Sequence, residues 1–189
     1  FIGASLYELM LSQSDLFPDN PLPTLLVRLI VSIKAKNGLT EFKKNKDKIV
    51  VDNLVDMINE GKDTIIEVSP LDMLISILER WIMALPDPLI PVELIPDFKK
   101  ALTTQTIEEA VEKMPFVHKM AFLYIVGFLQ EISKARKESD PNADVDKVPA
   151  DSIETLIGVH LFRGSDDGVL QVAFGKVIIH KAVTLCKTE

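Results

Sequence analysis

The chain has 189 residues, of which 47% are hydrophobic and 26% are charged, so it is long enough to bury one sizeable core. Its formal net charge of −7 argues against nucleic acid as a partner, because phosphate backbones are bound through basic surfaces. The single cysteine, Cys186, excludes an internal disulfide, and no uninterrupted apolar run approaches the roughly 20 residues that span a bilayer.

The first predicted helix begins at Pro23, because proline suits the first helical position. Apolar residues then recur at helical spacing up to about Lys36, and Gly38 suits the C-terminal cap. These apolar residues are Leu26, Leu29, Ile30 and Ile33. A second helix is predicted over residues 50–60, where Gly61 ends the same kind of pattern.

Ser69 and Pro70 predict the start of a long amphipathic helix, since serine caps helices and proline fits their first turn. Two neighbouring apolar stripes follow and predict burial on most sides. The residues left to face water or a partner are Asp72, Ser76, Glu79, Arg80 and Met83. The next segment, L-P-D-P-L-I-P at residues 85–91, holds three prolines and cannot continue a helix. We expect a rigid, protruding turn here, and we call residues 85–91 the elbow.

Two more helices are predicted after the elbow. Thr106 and Glu109 have the spacing of a capping box, which predicts a short helix that reaches Met114. Residues 115–136 are apolar almost all round their middle part. That pattern is typical of a central helix that packs on several sides.

The C-terminal third alternates polar and apolar segments. Residues 137–148 are polar and contain an Asp-Pro pair, which predicts an exposed, mobile loop. Helices are predicted over 151–162 and 170–185, although the β-branched residues of the last segment also fit a strand. The fold class predicted from these elements is all-α, with about seven to nine helices in one domain over residues 1–189. Because Phe1 is not an initiator methionine, we expect that domain to be a piece of a longer protein.

The sequence lacks the common catalytic motifs. It has no Gly-rich phosphate loop, no H-E-x-x-H pair, no nucleophile elbow and no Cys/His cluster with metal spacing. His118, His160 and His180 lie far apart in apolar helical contexts, where packing or surface roles are usual. We therefore expect no metal, no cofactor and no enzyme that acts on a small substrate of its own.

The helix that leads into the elbow resembles the signature L-K-x-f-L-R-e-L-P-e-P-L-i-P of RhoGAP domains, which bind Rho-type GTPases and switch them off. Other features follow in the family's order. The opening residues F-I-G-A-S-L at 1–6 are similar to its F-G-x-x-L start, and Gly38-Leu39 and Met114-Pro115 fit later turns. The resemblance covers nearly the whole chain and implies the helical RhoGAP fold.

A closer resemblance is to the divergent RhoGAP-like domain that ends inositol polyphosphate 5-phosphatases of the Lowe-syndrome (OCRL) type. Residues 41–45 (E-F-K-K-N) resemble its D-L-F-x-x-P-like segment, and residues 153–163 resemble its I-x-T-L-F-x-x-L-L-L-R helix. The match at residues 153–163 is the main support for this closer resemblance. It implies a cytoplasmic module that targets an inositol 5-phosphatase to endocytic membranes, peripheral to endosomal or plasma membranes.

Activating RhoGAP domains insert an arginine into the GTPase site, where it offsets charge on the transferred phosphate and contributes roughly 10³–10⁵-fold in rate. The family pattern places Lys43, after Phe42, at this position, and no arginine occurs between Arg28 and Arg80. Lysine lacks the planar fork of donors that guanidinium offers, so it is a poor replacement.

Other catalytic positions of the family also differ. Its supporting lysine and arginine map onto Glu79 and Met83, and its asparagine on a later helix maps near Thr155. Several elements are then missing, and one has the opposite charge. The resemblance therefore predicts a catalytically inactive domain, not an enzyme, that kept the fold and lost efficient activation of GTP hydrolysis.

Binding can outlast catalysis, because an interface draws on many apolar contacts. The residues that we expect to contact a Rac- or Cdc42-like GTPase are Phe42, Lys43, Glu79, Met83, Pro86 and Pro88. The Lowe-type resemblance also implies docking of short amphipathic helices, carrying Phe and His, from endocytic adaptors. Candidates for that second site are Ile2, Leu6, Thr24 and Arg28, although packing in the core is the commoner role for Ile2 and Leu6.

Two other interpretations stay open. In the first, the chain is an active Rho GTPase-activating domain that uses Lys43 or an arginine that this alignment misplaces. In the second, it is an unrelated helical scaffold whose basic connector binds anionic lipid. The simpler interpretation of that connector is a solvated loop. The connector's cations are Lys43, Lys44, Lys46 and Lys48.

Overall fold

The computed structural model describes the chain in four ranges, and side chains at 102–104 and 153–155 are left out. These ranges are 1–36, 47–104, 107–139 and 153–163. Within them the regular elements are nine α-helices and one 3₁₀ turn, with no strand, which confirms the predicted all-α class. The helices are α1 Leu6–Gln13, α2 Thr24–Ala35, α3 Lys48–Asn59, α4 Ile65–Val68, α5 Leu71–Ala84, α6 Ile95–Thr104, α7 Ile107–Glu112, α8 Phe116–Ser139 and α9 Ile153–Leu161.

The chain forms two compact units, residues 1–86 and residues 87–189. In the first unit α5 packs against α2 and α3, and the short α4 packs against the same two helices. The buried side chains of this unit are mostly aliphatic, and Trp81 is its one fully buried aromatic among the residues described. Whether residues 1–189 behave as one domain stays a prediction.

Helix α5 is buried more completely than its sequence pattern predicts. Both apolar stripes contribute buried residues, as expected, but Ser76 and Glu79 are buried as well, at 3% and 6% exposure. The prediction that these two residues face water is therefore wrong. Helical periodicity says which residues share a face, whereas the number of covered faces depends on the helices that pack around α5.

Three helices of the structure, α1, α4 and α6, are not among those predicted. For α1 the sequence did contain a signal, a Ser5-x-x-Glu8 capping box. The Ser5 hydroxyl accepts a hydrogen bond from the Glu8 amide at 3.2 Å, and the Glu8 carboxylate accepts one from the Ser5 amide at 2.8 Å. That backbone hydrogen bond, with help from the Ser5 hydroxyl, lowers the pKa of Glu8.

In the second unit, the helix predicted over 115–136 is α8. It buries residues on several sides, as predicted, and continues to Ser139. Residues 137–139 are therefore helical, in contrast to the predicted loop, and the rest of that loop lies outside the described residues. Phe98 of α6 lies edge-on to Phe122 of α8 at 5.9 Å and to Phe162 at 6.0 Å between ring centroids. These T-shaped pairs form the aromatic centre of this unit.

Several predictions fall outside the described residues. They concern the cap at Gly38, the capping residue Thr106 and the helix predicted over 170–185. Within the described part of the chain, no helix combines the length and the apolar character needed to cross a bilayer.

Candidate functional site

The elbow ends α5 as its prolines require. The helix stops at Ala84, and Leu85 takes an extended conformation with φ −56° and ψ 126°. Pro86 and Asp87 are exposed, Pro88 is half-buried, and the next apolar residues, Leu89 and Ile90, are fully buried. The chain therefore presents a proline-flanked aspartate at the surface on a buried apolar base.

A histidine holds the far side of the elbow. Nδ1 of His118 on α8 lies 3.0 Å from the carbonyl oxygen of Leu89, within the second unit. Since the carbonyl can only accept, Nδ1 carries the proton in this contact. Sequence reasoning treated His118 as a packing or surface residue, and no local motif marks this contact, because its partner lies 29 positions away.

Met83 and Arg80 lie on the last turns of α5, and both are partly exposed. Met83, predicted to contact a GTPase, is 39% exposed. The Arg80 guanidinium donates a hydrogen bond to the Asp52 carboxylate of α3 at 3.0 Å, and both side chains are about two-fifths exposed, at 42% and 40%. Glu79, in contrast, is buried, so the exposed acidic position predicted for it does not exist.

The segment predicted to insert a cation into the GTPase site is not among the described residues. Phe42 and Lys43 lie outside the described residues, and Thr155 lies in α9 at a position whose side chain is not described. Their assigned roles stay predictions. Within the first unit, Arg80, Met83 and Pro86 follow one another at the end of α5 and the start of the elbow.

The four residues proposed for adaptor binding lie in the first unit in different environments. Ile2 and Leu6 are buried, which is the core-packing role that their sequence context favours. The Thr24 hydroxyl donates to Gln13 Oε1 at 2.9 Å. Arg28 is engaged by α4 and the turn before it, so its guanidinium is occupied.

The Arg28 cluster is an ion pair network between α2 and α4. Its guanidinium donates to Glu67 at 2.8 and 3.0 Å, to the Asp63 carbonyl at 3.1 Å, and to the Asp63 carboxylate. The hydrogen bond from Arg28 lowers the pKa of Glu67. Burial opposes the charged form of Arg28, yet the hydrogen bond to Glu67 and the charge of Asp63 raise its pKa. The cluster joins α2 to α4 and stabilises the first unit.

The described residues include no group of His, Cys, Asp and Glu side chains arranged to hold a metal ion. What the end of α5 can offer is a surface for another protein, on which Met83 and Pro86 are exposed and Arg80 is partly exposed.

The RhoGAP domain family profile matches residues 23–166, well over half of the chain. The chain belongs to the RhoGAP domain family. It is 30% identical over 136 residues to GTPase activating protein homolog 4 of Dictyostelium discoideum, covering 66% of this chain and 15% of that protein. It is 24% identical over 179 residues to Rho GTPase-activating protein 24 of Mus musculus, covering 88% of this chain and 23% of that protein.

A solved structure shares the fold. Human Rho GTPase activating protein 15 matches with a TM-score of 0.68 over 98% of this chain and 90% of that one, at 12% sequence identity. The sequence-based assignment to RhoGAP domains is thus confirmed. This chain spans less than a quarter of the length of the two relatives above.

Two of the predictions change with these findings. The prediction that the domain is not an enzyme is wrong, because the family and the relatives are Rho GTPase-activating proteins. It rested on matching Lys43, Glu79, Met83 and Thr155 to the family's catalytic positions, and a shift of a few residues around Lys43 changes which side chain takes the finger position. The closer resemblance to Lowe-type phosphatases is supported by its sequence motifs alone.

Proposed function

We propose that this RhoGAP domain binds a Rho-family small GTPase and stimulates hydrolysis of its bound GTP. The observation that carries the proposal is the family match over residues 23–166, together with relatives named as GTPase-activating proteins. A Rac- or Cdc42-like protein is the partner class that the sequence resemblance implies.

The surface that we assign to this partner is the end of α5 and the start of the elbow, within the first unit. Met83 and Pro86 are exposed there. Pro88, which the resemblance also predicts as a contact, is half-buried and belongs to the second unit. Prolines hold the backbone of the elbow in its extended form, so little conformational entropy is lost when a partner binds it. The next apolar residues of the chain, Leu89 and Ile90, are fully buried.

Stimulating hydrolysis requires a cation that offsets charge on the transferred phosphate. Two cations are candidates. Lys43 occupies the finger position in the sequence alignment, and Arg80 is the guanidinium that α5 presents beside Met83. The Arg80–Asp52 pair is half-exposed, and such pairs contribute only about 0–1 kcal/mol, so a partner can draw Arg80 away at little cost.

The test is single-turnover GTP hydrolysis by Rac- and Cdc42-like proteins with the wild-type domain and with Lys43→Ala, Arg80→Ala and Lys134→Ala. Lys134 is an exposed cation of α8 and serves as the charge-matched control. We expect the wild-type domain and Lys134→Ala to accelerate GTP hydrolysis. The variant that lacks the cation entering the GTPase site should lose most of this acceleration. Where that cation acts as a finger, the loss is roughly 10³-fold or more.

The outcomes are distinct. Absence of acceleration with both GTPases, in a domain that still binds them, contradicts the proposed activation. Equal, full acceleration in Lys43→Ala and Arg80→Ala contradicts the assignment to these cations while leaving the activation itself in place. Circular dichroism of each variant excludes unfolding as the cause of a loss.

We keep the role in phosphatase targeting as a narrower proposal, supported by the motif at residues 153–163. If this chain is a piece of a longer protein, the gene segment before Phe1 tests it directly. An inositol polyphosphate 5-phosphatase domain there supports this role, and a different catalytic domain contradicts it.

A further inference from the structure

The first turn of α3 carries an isoleucine that the core does not use. Ile49 is 74% exposed, whereas Val51 and Ile58 of the same helix are buried. Residues four and seven positions apart share a helix face, so Ile49 lies in line with the exposed polar residues Asn53 and Asp56. A single exposed apolar residue is ordinary, and its neighbours decide whether it belongs to a binding surface.

The position of Ile49 is fixed by the cap of its helix. The Asp47 carboxylate accepts hydrogen bonds from the amide of Ile49 at 3.1 Å and from the amide of Val50 at 3.3 Å. These bonds satisfy two of the amides that a helix leaves unpaired at its start. The exposed isoleucine therefore stands on a capped helix end, so less conformational freedom is lost when a partner covers it.

An ion pair joins this turn of α3 to the last turns of α5, within the first unit. Asp52, three residues after Ile49, accepts a hydrogen bond from the Arg80 guanidinium at 3.0 Å. Met83 follows Arg80 by three residues. Residues three apart on a helix are surface neighbours, with Cβ atoms about 5–6 Å apart. Ile49, Asp52, Arg80 and Met83 therefore form one continuous surface, which we call the α3–α5 strip.

The composition of the α3–α5 strip suits contact with a protein. An exposed isoleucine lies at one end and an exposed methionine at the other, with the half-exposed ion pair between them. Methionine and arginine are enriched where proteins meet. The two charges of the pair balance each other, so the strip lacks the run of cations that binds phosphate backbones or anionic bilayers.

We propose that the GTPase-binding surface extends from α5 onto α3, with Ile49 as an apolar anchor for the partner. This inference rests on the proposed function, because Arg80 and Met83 belong to the region assigned there to a Rho-family GTPase. The strip continues from those two residues to Ile49 through Asp52. An aliphatic side chain offers neither a proton nor a charge to the transferred phosphate, so Ile49 contributes affinity and not chemistry.

The probe is a Rac- or Cdc42-like GTPase loaded with a fluorescent, non-hydrolysable GTP analogue, and fluorescence anisotropy measures its binding to the domain. Ile49→Ser should weaken binding about tenfold, which corresponds to the loss of an anchor of about 1.4 kcal/mol. In the single-turnover assay, the concentration of domain that gives half-maximal acceleration should rise by the same factor, because uniform binding has been removed.

Val68→Ser is the matched control. Val68 is 73% exposed, nearly as much as Ile49, and it also lies in the first unit. It precedes α5, whereas Met83 lies near the end of that helix, and the 14 residues of α5 span about 20 Å. Val68 is therefore distant from the methionine end of the strip, and Val68→Ser should bind the GTPase as the wild-type domain does.

Thiol labelling locates the contact even if Ile49→Ser perturbs α3. Ile49→Cys and Val68→Cys are prepared separately in a Cys186→Ser background, which removes the one native cysteine of the chain. Each variant reacts with a maleimide dye in the presence and absence of the loaded GTPase. We expect the GTPase to slow labelling severalfold at position 49 and to leave the labelling rate at position 68 unchanged.

Failure of this inference can be distinguished from failure of the proposed function. A wild-type domain that neither binds nor activates the GTPases contradicts the proposed function and the inference with it. A wild-type domain that binds, while Ile49→Ser binds equally well or weakens no more than Val68→Ser, contradicts only the extension onto α3. Unchanged labelling at position 49 does the same. A wild-type homodimer that Ile49→Ser dissociates in size-exclusion chromatography would assign the strip to a second copy of this chain.

Discussion

Two regions of this domain expose apolar side chains to solvent, and they are built in opposite ways. The elbow at residues 85–91 is shaped by its own prolines, whose ring geometry permits few backbone conformations. The opening residues 1–17 contain no proline. Asn59 holds Ile2, which lies 57 positions away, and Gln13 bonds the backbone of Leu22 and Thr24. One surface is determined by local covalent structure and the other by distant side chains.

This difference indicates how each surface can fail. A substitution should disturb the backbone of the elbow only if it removes one of the elbow's buried residues, which also stabilise the fold. The opening segment should detach when only one or two hydrogen bonds are lost, and the rest of the domain should stay folded.

The largest expected effect is at the base of the elbow. Leu89→Ala removes a fully buried side chain and should lower the free energy of unfolding by about 2–5 kcal/mol, through lost burial and the cavity left behind. Urea denaturation followed by circular dichroism measures it. Pro86→Ala is the control, since Pro86 is exposed, and a loss as large as that of Leu89→Ala would show that the elbow does not depend on its buried base.

The opening segment should respond more weakly and more locally. Asn59→Ala removes both hydrogen bonds to Ile2 and should cost about 1 kcal/mol, because Asn59 itself is exposed. Hydrogen exchange should become faster at the amides of residues 2–5 and stay unchanged in α5. Asn53→Ala, an exposed asparagine of the same helix, should leave both quantities unchanged. Faster exchange throughout the first unit would contradict local attachment.

The smallest effect concerns the ion pair between Arg28 of α2 and Glu67 of α4. The folded-state pKa of Glu67 is lowered from its ordinary value of 4.5 by the Arg28 hydrogen bond. Its contribution to stability is therefore present above pH 4.5 and is lost as pH falls through the lower, folded-state pKa. Because both side chains are partly exposed, this contribution should be below about 1 kcal/mol.

The measurement compares urea unfolding of the wild-type domain and Glu67→Gln from neutral pH into the acid range. Their difference should shrink as the pH falls. The control is Glu60→Gln, which changes an exposed carboxylate paired with Lys62. A difference between wild type and Glu67→Gln that persists unchanged in acid would mean that packing, and not charge, accounts for the role of Glu67.

Much of the helical content was predictable because each predicted helix is bounded by residues that start or end helices. Pro23 precedes α2, Ser69 and Pro70 precede α5, and the prolines of the elbow end it. The short helix α4 gave no comparable signal, since four residues are too few to show a period. Helix α1 carries a local signal in its Ser5-x-x-Glu8 capping box, but its eight residues are too few to show a clear apolar period.

The site was less predictable. The sequence placed Glu79 on an exposed stripe, whereas the structure buries it. A period of 3.6 residues orders the side chains around a helix but cannot say how many neighbours that helix has. The prediction that the domain is not an enzyme was wrong, and the placement of Lys43 at the finger position stays a prediction, because its segment has no periodic pattern to anchor a motif match.

By itself, the sequence determined the helical class, the position of the elbow and the net negative charge, since proline geometry, apolar period and charge can be read from the residues alone. Only the tertiary structure decided that Glu79 is buried, that His118 contacts Leu89, that Gln13 bonds Leu22 and that Asn59 bonds Ile2. The contacts of His118 and Asn59 join residues 29 and 57 positions apart. Contacts between distant residues form only when helices pack, because packing and not local preference decides which polar groups meet.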